Sequence, residues 1–175
     1  MRVNFGCGSV QPDGWVNVDR QDLGQEHVAD ALTGLPFPDD SVDYIVANHS
    51  LSDLDHHELS RALPELCRCL VRGGVLRVLV PDLVAAFRAW ERVDEAWFPL
   101  GDDLPSIDER LCTFVGWFGT AKSQWTAGYA TTLLRRAGFE AVVPARPKET
   151  LLCTDAGITE LDDRLVQALI VEARK

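Results

Sequence analysis

Residues Gly74–Val80 read G-V-L-R-V-L-V, close to the continuous apolar run of a strand buried on both faces. Such strands belong to sheets covered by a layer on each side, and the rest of the chain alternates accordingly. Arg2–Phe5 reads as a first strand that ends in Gly6-Cys7-Gly8. Trp15–Asp19, W-V-N-V-D, is a second, with Val16 and Val18 alternating. Val28-Ala29 before Asp30 is a short third, and Val42–Ala47, V-D-Y-I-V-A, is a fourth. Glu140–Ala145 and Leu165–Ala173 close the series.

Helical patterns separate the later strands. Across 55–71, Leu59, Ala62, Leu63, Leu66, Cys67 and Leu70 follow helical spacing, and Asp55 with Glu58 forms a capping box at the start. Pro64 lies inside the pattern and predicts a kink or two short helices. Gly73-Gly74 ends the element. A second helix starts after Pro81, with Asp82 as N-cap and Leu83, Phe87 and Trp90 on one face. A third runs from Thr126 to Ala137, with Gly138 as its C′ residue and Phe139 as the apolar contact beyond it.

This alternation predicts an α/β sheet, mostly parallel. Only nine residues, Gly6–Gly14, separate the first two strands, where a parallel crossover ordinarily needs a dozen or more. Either the first crossover helix has shrunk to a turn or these strands are not parallel neighbours. A length of 175 residues suits one domain. Residues 94–125 stand apart, with Trp97, Phe98, Phe114, Trp117, Phe118 and Trp125, and with six acids and no base across 94–109. Such an insertion can be a lid, a helix completing the core, or an oligomer contact; burial is the commoner use of aromatics.

Charge narrows the partners. The net charge is −10, of which residues 1–60 carry −9 from eleven acids against Arg2 and Arg20. No basic nucleic-acid footprint is present, and an anionic membrane would repel this surface. The opening M-R-V-N-F-G-C-G lacks the apolar core of a secretory signal, and no apolar run approaches a membrane span. The five cysteines, Cys7, Cys67, Cys69, Cys112 and Cys153, are odd in number and form no C-x-x-C pair. Neither a disulfide framework nor a metal site is expected, and a reducing, cytoplasmic setting fits.

Several polar residues fall at the carboxyl ends of strands, where open α/β sheets bind ligands. Gly6-x-Gly8 allows positive φ and close backbone approach. A dinucleotide fingerprint would need a third glycine where Gln11 stands, so diphosphate binding is disfavoured. Asp19 ends the second strand, where a carboxylate can accept from two ribose hydroxyls. Asp30, followed by Ala31-Leu32, could accept from an exocyclic amine while apolar side chains cover an adenine ring. Asn48-His49-Ser50 follows the fourth strand.

The stretches N-F-G-C-G, G-W-V-N-V-D, A-D-A-L-T-G-L-P-F-P-D-D-S-V-D-Y-I, E-L-C-R-C-L-V-R-G-G-V-L-R-V-L-V-P-D and L-L-R-R-A-G-F together resemble a small class I S-adenosylmethionine (AdoMet)-dependent methyltransferase. The resemblance implies a Rossmann-like seven-stranded sheet whose last strand is antiparallel. It implies AdoMet as cofactor, with Gly6, Cys7 and Gly8 near its methionine part, Asp19 at the ribose and Asp30 with Ala31 or Leu32 at the adenine; Asn4, Phe5, Arg20, Asn48 and His49 are the further expected cofactor-binding residues. Asn4 replaces the family's usual acid, so it could meet an ammonium only as a neutral acceptor. Ser52-Asp53 stands where small members often carry Glu-His. His49 and Asp53 are the candidate catalytic residues, with His49 the better placed as general base for a small-molecule O- or N-nucleophile. A non-catalytic AdoMet-fold binding module and a nucleotide-dependent oxidoreductase are the competing readings.

Overall fold

The computed structural model describes residues 1–101 and 103–175. Seven strands form one sheet: β1 (Arg2–Phe5), β2 (Val16–Asp19), β3 (His27–Val28), β4 (Val42–Asn48), β5 (Leu70–Pro81), β6 (Ala141–Pro144) and β7 (Ala168–Arg174), in the spatial order β3-β2-β1-β4-β5-β7-β6. Strands β1 to β5 run parallel to one another, and β7 is antiparallel to both β5 and β6. The order and the antiparallel β7 agree with the seven-stranded Rossmann-like sheet that the sequence resemblance implies. The short first connection resolves as a shrunken crossover: β1 and β2 are parallel neighbours joined through turns, with no helix between them.

One face of the sheet carries an apolar core. Val3 and Phe5 of β1, Ile45 and Ala47 of β4, and Leu76, Val78 and Val80 of β5 alternate toward it. Helix α1 (His56–Cys69) covers them with Leu59, Leu63 and Leu66. Helix α4 (Ala127–Arg136) adds Ala130, Leu133 and Leu134. Asp55 and Glu58 close the expected capping box on α1. Pro64 does not divide α1, which is continuous over 14 residues. Both Pro64 and Ser60 are exposed, so water can satisfy the Ser60 carbonyl that loses its intrahelical donor. The end of α4 is a Schellman motif: Phe139 N–H donates to Leu134 O, Gly138 N–H donates to Arg135 O, and Gly138 has φ +106°.

The other face is covered by an irregular segment whose one helical element is the 3-10 turn Ala156–Thr159. Trp15, Tyr44, Val46, Val75, Leu79 and Ile170 pack there beneath residues 145–161, with Ile158 from that segment fully buried. At its centre the near-continuous apolar strand carries a charge. Arg77 is completely buried, and all five of its N–H donors are used. They reach Asp162 Oδ1 and Oδ2 (2.8 and 2.7 Å), Glu172 Oε1 (2.6 Å), and the carbonyls of Glu149 (3.0 Å) and Arg146 (3.1 Å). Glu172 lies opposite Arg77 in the β5–β7 register and also accepts from Leu151 and Leu152 N–H. The network ties the irregular segment 145–162 to the sheet.

Helix α2 (Leu83–Glu91), capped by Asp82, turns the other way from the sequence expectation. Ala86 and Ala89 are buried against Phe98 and Phe114, while Phe87 and Trp90 are exposed. The small alanine face admits close packing by the insertion, and the Trp90 indole N–H donates to Asp108 Oδ1 at 2.7 Å. The insertion, with α3 (Ile107–Gly116), builds this small satellite core from Trp97, Phe98, Phe114 and Trp117. Trp125 instead lies in the main core. No helix among the described residues is long and apolar enough to cross a membrane.

Candidate functional site

A cavity of about 270 Å³ opens at the carboxyl ends of β1, β2 and β4. Its position follows from the sheet: the strand order turns back between β1 and β4, and ligands of α/β sheets sit outside such a point. Phe5, Gly6 and Gly8 form its floor. Gly6 has φ +68°, and a Cβ there would collide with Ser50 Cβ, so the turn after β4 demands this glycine. Gly8 has φ +53° and faces open space, so its backbone is free to be approached.

Three acids line the cavity, Asp19, Asp30 and Asp53, against one base, Arg20. Asp19 Oδ2 accepts from Gly8 N–H at 2.9 Å and Oδ1 from Gln21 N–H at 3.0 Å, which locks the carboxylate at the end of β2 between the two loops. Asp30 Oδ1 accepts from Leu32 N–H at 2.9 Å. Asp53 ends a single 3-10 turn, Leu51–Asp53, that follows β4. Burial pushes its carboxyl above the usual carboxylate range, against the pull of Arg20, Lys122 and His49. Its neighbour Ser52 holds the insertion, since Ser52 O accepts from Lys122 and Ser123 N–H at 2.9 and 3.1 Å.

His49 sits on the cavity wall in the left-handed region, φ +56°, with its N–H donating to Leu79 O at 2.8 Å. The ring Nε2 is 3.1 Å from Asp163 Oδ1. The His49 hydrogen bond holds the Asp163 carboxyl below the usual range. Beside it, Asn48 Nδ2 donates to Leu161 O at 2.8 Å. Asn48 Oδ1 and His49 Nδ1 are buried and have no hydrogen-bond partner among the described residues.

The cavity thus gathers Phe5, Gly6, Gly8, Asp19, Arg20, Asp30, Asn48, His49 and Asp53 of the residues expected from sequence. Four expected residues lie off its wall. Asn4 spends its amide N–H groups on Val10 O (2.8 Å) and Asn17 Oδ1 (3.0 Å), bracing the loop from behind. The Cys7 side chain is buried, which raises its thiol pKa, and its carbonyl accepts from Val10 N–H. Ala31 is buried in the main core, and Leu32 packs against that core with its carbonyl held by Arg61 Nη2 at 2.7 Å. Leu23 and Ala29 supply the apolar wall near Asp30 instead. Asp163 has no motif and is 114 residues from His49, so only the fold brings it in.

A larger hollow of about 660 Å³ lies at the opposite, amino ends of β1, β4 and β5, among Arg2, Tyr44, Arg72 and Cys153. Volume alone would favour it. The conserved logic of strand carboxyl ends and the convergence of acids favour the smaller cavity.

Residues 10–78 match the Methyltransferase domain family. No curated protein matches the chain. Solved structures match it nearly throughout. An S-adenosylmethionine-dependent methyltransferase from Thermotoga maritima, described as a possible histamine N-methyltransferase, is 20% identical, with 100% of this chain and 82% of that chain covered and a TM-score of 0.61. One from Archaeoglobus fulgidus is 15% identical, with coverage of 99% and 85% and a TM-score of 0.61. One from Mesorhizobium loti is 18% identical, with coverage of 100% and 90% and a TM-score of 0.55. At these identities the likeness is one of fold. The family match covers less than half of the chain, and with the structural likeness it shows the Rossmann-like fold of S-adenosylmethionine-dependent methyltransferases, the fold that the sequence motifs imply.

Proposed function

We propose that the chain is a single methyltransferase domain, acting in the cytoplasm, that transfers the methyl group of AdoMet to an oxygen or nitrogen of a small molecule. The observation that carries this reading is the carboxyl-end cavity, which Asp19, Asp30 and Asp53 line together with one base, Arg20. An acid-rich wall suits a cofactor of net charge near +1. The residues present fit that cofactor. Asp19 keeps lone pairs for two ribose hydroxyls beyond those engaged by Gly8 and Gln21. Asp30 keeps Oδ2 for an exocyclic amine, and Leu23 and Ala29 offer apolar cover. Gly8 leaves room for close approach.

When bound, AdoMet supplies an electrophilic methyl on a sulfonium. The protein's task is then to exclude water, align the acceptor, and take its proton. Near-attack geometry requires reacting atoms about 3–3.5 Å apart. Asp53 is the better proton acceptor of the two candidates. Its carboxylate accepts no hydrogen bond among the described residues, and burial has already raised its basicity. His49 has Nε2 committed to Asp163 and Nδ1 closed to water.

Thermal shift separates this reading from a nucleotide-dependent oxidoreductase. AdoMet and S-adenosylhomocysteine should each raise the melting temperature, and NAD(P) should not. No shift with either adenosyl ligand at millimolar concentration would remove the proposal. Turnover with a radiolabelled methyl donor and candidate acceptors distinguishes an enzyme from a binding module. Asp53→Asn should lower turnover without abolishing the thermal shift.

A further inference from the structure

The aromatic insertion and the segment before β7 meet beside the β4 end of the cavity. Helix α3 is followed by Trp117 and Phe118, two consecutive aromatics in the left-handed region (φ 41° and 54°). Bulky side chains adopt that conformation only where their surroundings impose it. Thr120 N–H donates to Trp117 O at 3.1 Å and Ala121 N–H to Gly116 O at 3.2 Å, which closes the turn. Lys122 and Ser123 then tie it to Ser52 O, one residue before Asp53. Trp117 packs on the satellite core, but Phe118 is held outward and is 68% exposed.

Arg164 comes from the opposite side. It follows Asp163, the partner of His49, and is itself left-handed, with φ 44°. Its carbonyl accepts from Gln167 and Ala168 N–H at 2.9 and 3.0 Å, which fixes the backbone. The guanidinium carbon lies over the Trp117 ring, 4.4 Å from its centroid. That contact holds the group in place but satisfies none of its N–H donors. Arg68 and Arg77 each engage two carboxylates, whereas Arg164 makes no side-chain hydrogen bond or ion pair among the described residues.

A structural latch between the two segments accounts for the stack. It does not account for the outward Phe118 ring or for the unused donors of Arg164. A guanidinium fixed in position presents a planar fork that matches a carboxylate. Phe118, Leu165 and Val166 are all exposed and lie next to Trp117 or Arg164 in the chain, so the fork is set in an apolar surround. Arg20 is less suited to an anion, because it shares the cavity wall with three carboxylates. Asp163, beside Arg164, is already engaged by His49.

We propose that Arg164 binds a carboxylate of the methyl acceptor and that Phe118 lies against the acceptor's ring, with the reacting hydroxyl or amine toward Asp53. The proposal rests on the methyltransferase reading and gives it a substrate class, a small aromatic acid. Arg164 and Phe118 are then specificity-determining residues, and proton transfer stays with Asp53. The insertion gains a use beyond its satellite core, because its strained turn both seats the guanidinium and supplies the ring contact.

The test is calorimetric titration of protein saturated with S-adenosylhomocysteine. The probes are the hydroxybenzoates and aminobenzoates, each matched with its benzamide, and phenyl phosphate as a different oxyanion. At least one acid should bind the wild type about tenfold or more tightly than its amide, as expected for charge-assisted hydrogen bonds. Arg164→Gln should reduce that preference to less than about twofold and leave the amide's affinity within about twofold. Arg164→Lys, which keeps the charge and loses the fork, should retain part of the preference. Phe118→Ala should weaken acid and amide by similar factors. Unchanged affinity for S-adenosylhomocysteine shows that each variant is folded. No binding of any acid, equal binding of acid and amide, or tighter binding of phenyl phosphate than of every benzoate would overturn the proposal. So would an unchanged preference, or an equal loss of acid and amide, in Arg164→Gln. Unchanged binding in Phe118→Ala would remove the ring contact. Failure of the wild type to bind S-adenosylhomocysteine would overturn the underlying methyltransferase reading instead.

Discussion

The two faces of the sheet are built on different physics. One is covered by α1 and α4, whose aliphatic stripes interlock with alternating strand residues in a dry apolar core. The other is covered by the irregular segment 145–161, held through the buried Arg77–Asp162–Glu172 network and backbone groups. Apolar packing tolerates approximate matches and degrades by increments. A buried ion network is all or nothing, because each unpaired charge keeps its desolvation cost. The two faces also reach the site differently. The helical face supports the 3-10 turn with Asp53 through Leu51 and Leu54, and the ionic face delivers Asp163 to His49.

This contrast can be broken by substitution, and the ionic face should fail hardest. Arg77→Leu leaves Asp162 and Glu172 buried without their cation and should cost about 3–5 kcal/mol in denaturant unfolding. Replacing all three residues with apolar ones of similar volume should recover much of that loss, although the backbone groups now satisfied by the triad would limit the recovery. On the helical face, Leu66→Ala should cost about 3 kcal/mol, through lost burial and a residual cavity. Thr126→Ala, which removes the cap bond to Tyr129 N–H, should cost about 1 kcal/mol.

The smallest effects sharpen the contrast through pH and function. Arg68 holds the Glu65 carboxyl below the usual range, and Leu35 N–H adds to this. A depressed folded pKa gives stability that is complete above the unfolded pKa of about 4 and lost as pH falls through the lowered value. Wild-type protein should therefore lose stability on acidification more steeply than Glu65→Gln in matched unfolding curves. Asp53 has the opposite sign, since burial opposes its ionised form. Asp53→Asn should slightly raise the melting temperature of ligand-free protein while lowering methyl transfer.

The helical face was legible in the sequence because its signals are local and periodic. The apolar spacing of α1, the Asp55–Glu58 capping box, and the Gly138–Phe139 terminus each lie within a few residues. The acids at strand ends were legible for the same reason, since each follows an apolar run. The ionic face was not. Arg77 interrupts an apolar strand by one residue, and its partners come from 85 and 95 residues away. Asp163 reached the site by the same long-range route. The face of α2 runs against its sequence pattern, because aromatic residues normally mark the buried side, whereas here Ala86 and Ala89 admit the aromatics of the insertion. Asn4 and Cys7 follow the motif, but strand alternation turns Asn4 to the far side of β1, and the Cys7 side chain packs away from the cavity wall.

The central claim is that the carboxyl-end cavity binds an adenosyl cofactor through Asp19. Calorimetric titration of wild type and Asp19→Ala with S-adenosylhomocysteine tests it most directly. The account predicts saturable one-site binding by the wild type and a loss of about tenfold or more in Asp19→Ala, whose fold is checked by its melting curve. Absence of wild-type binding, or unchanged affinity in a folded Asp19→Ala, would contradict it.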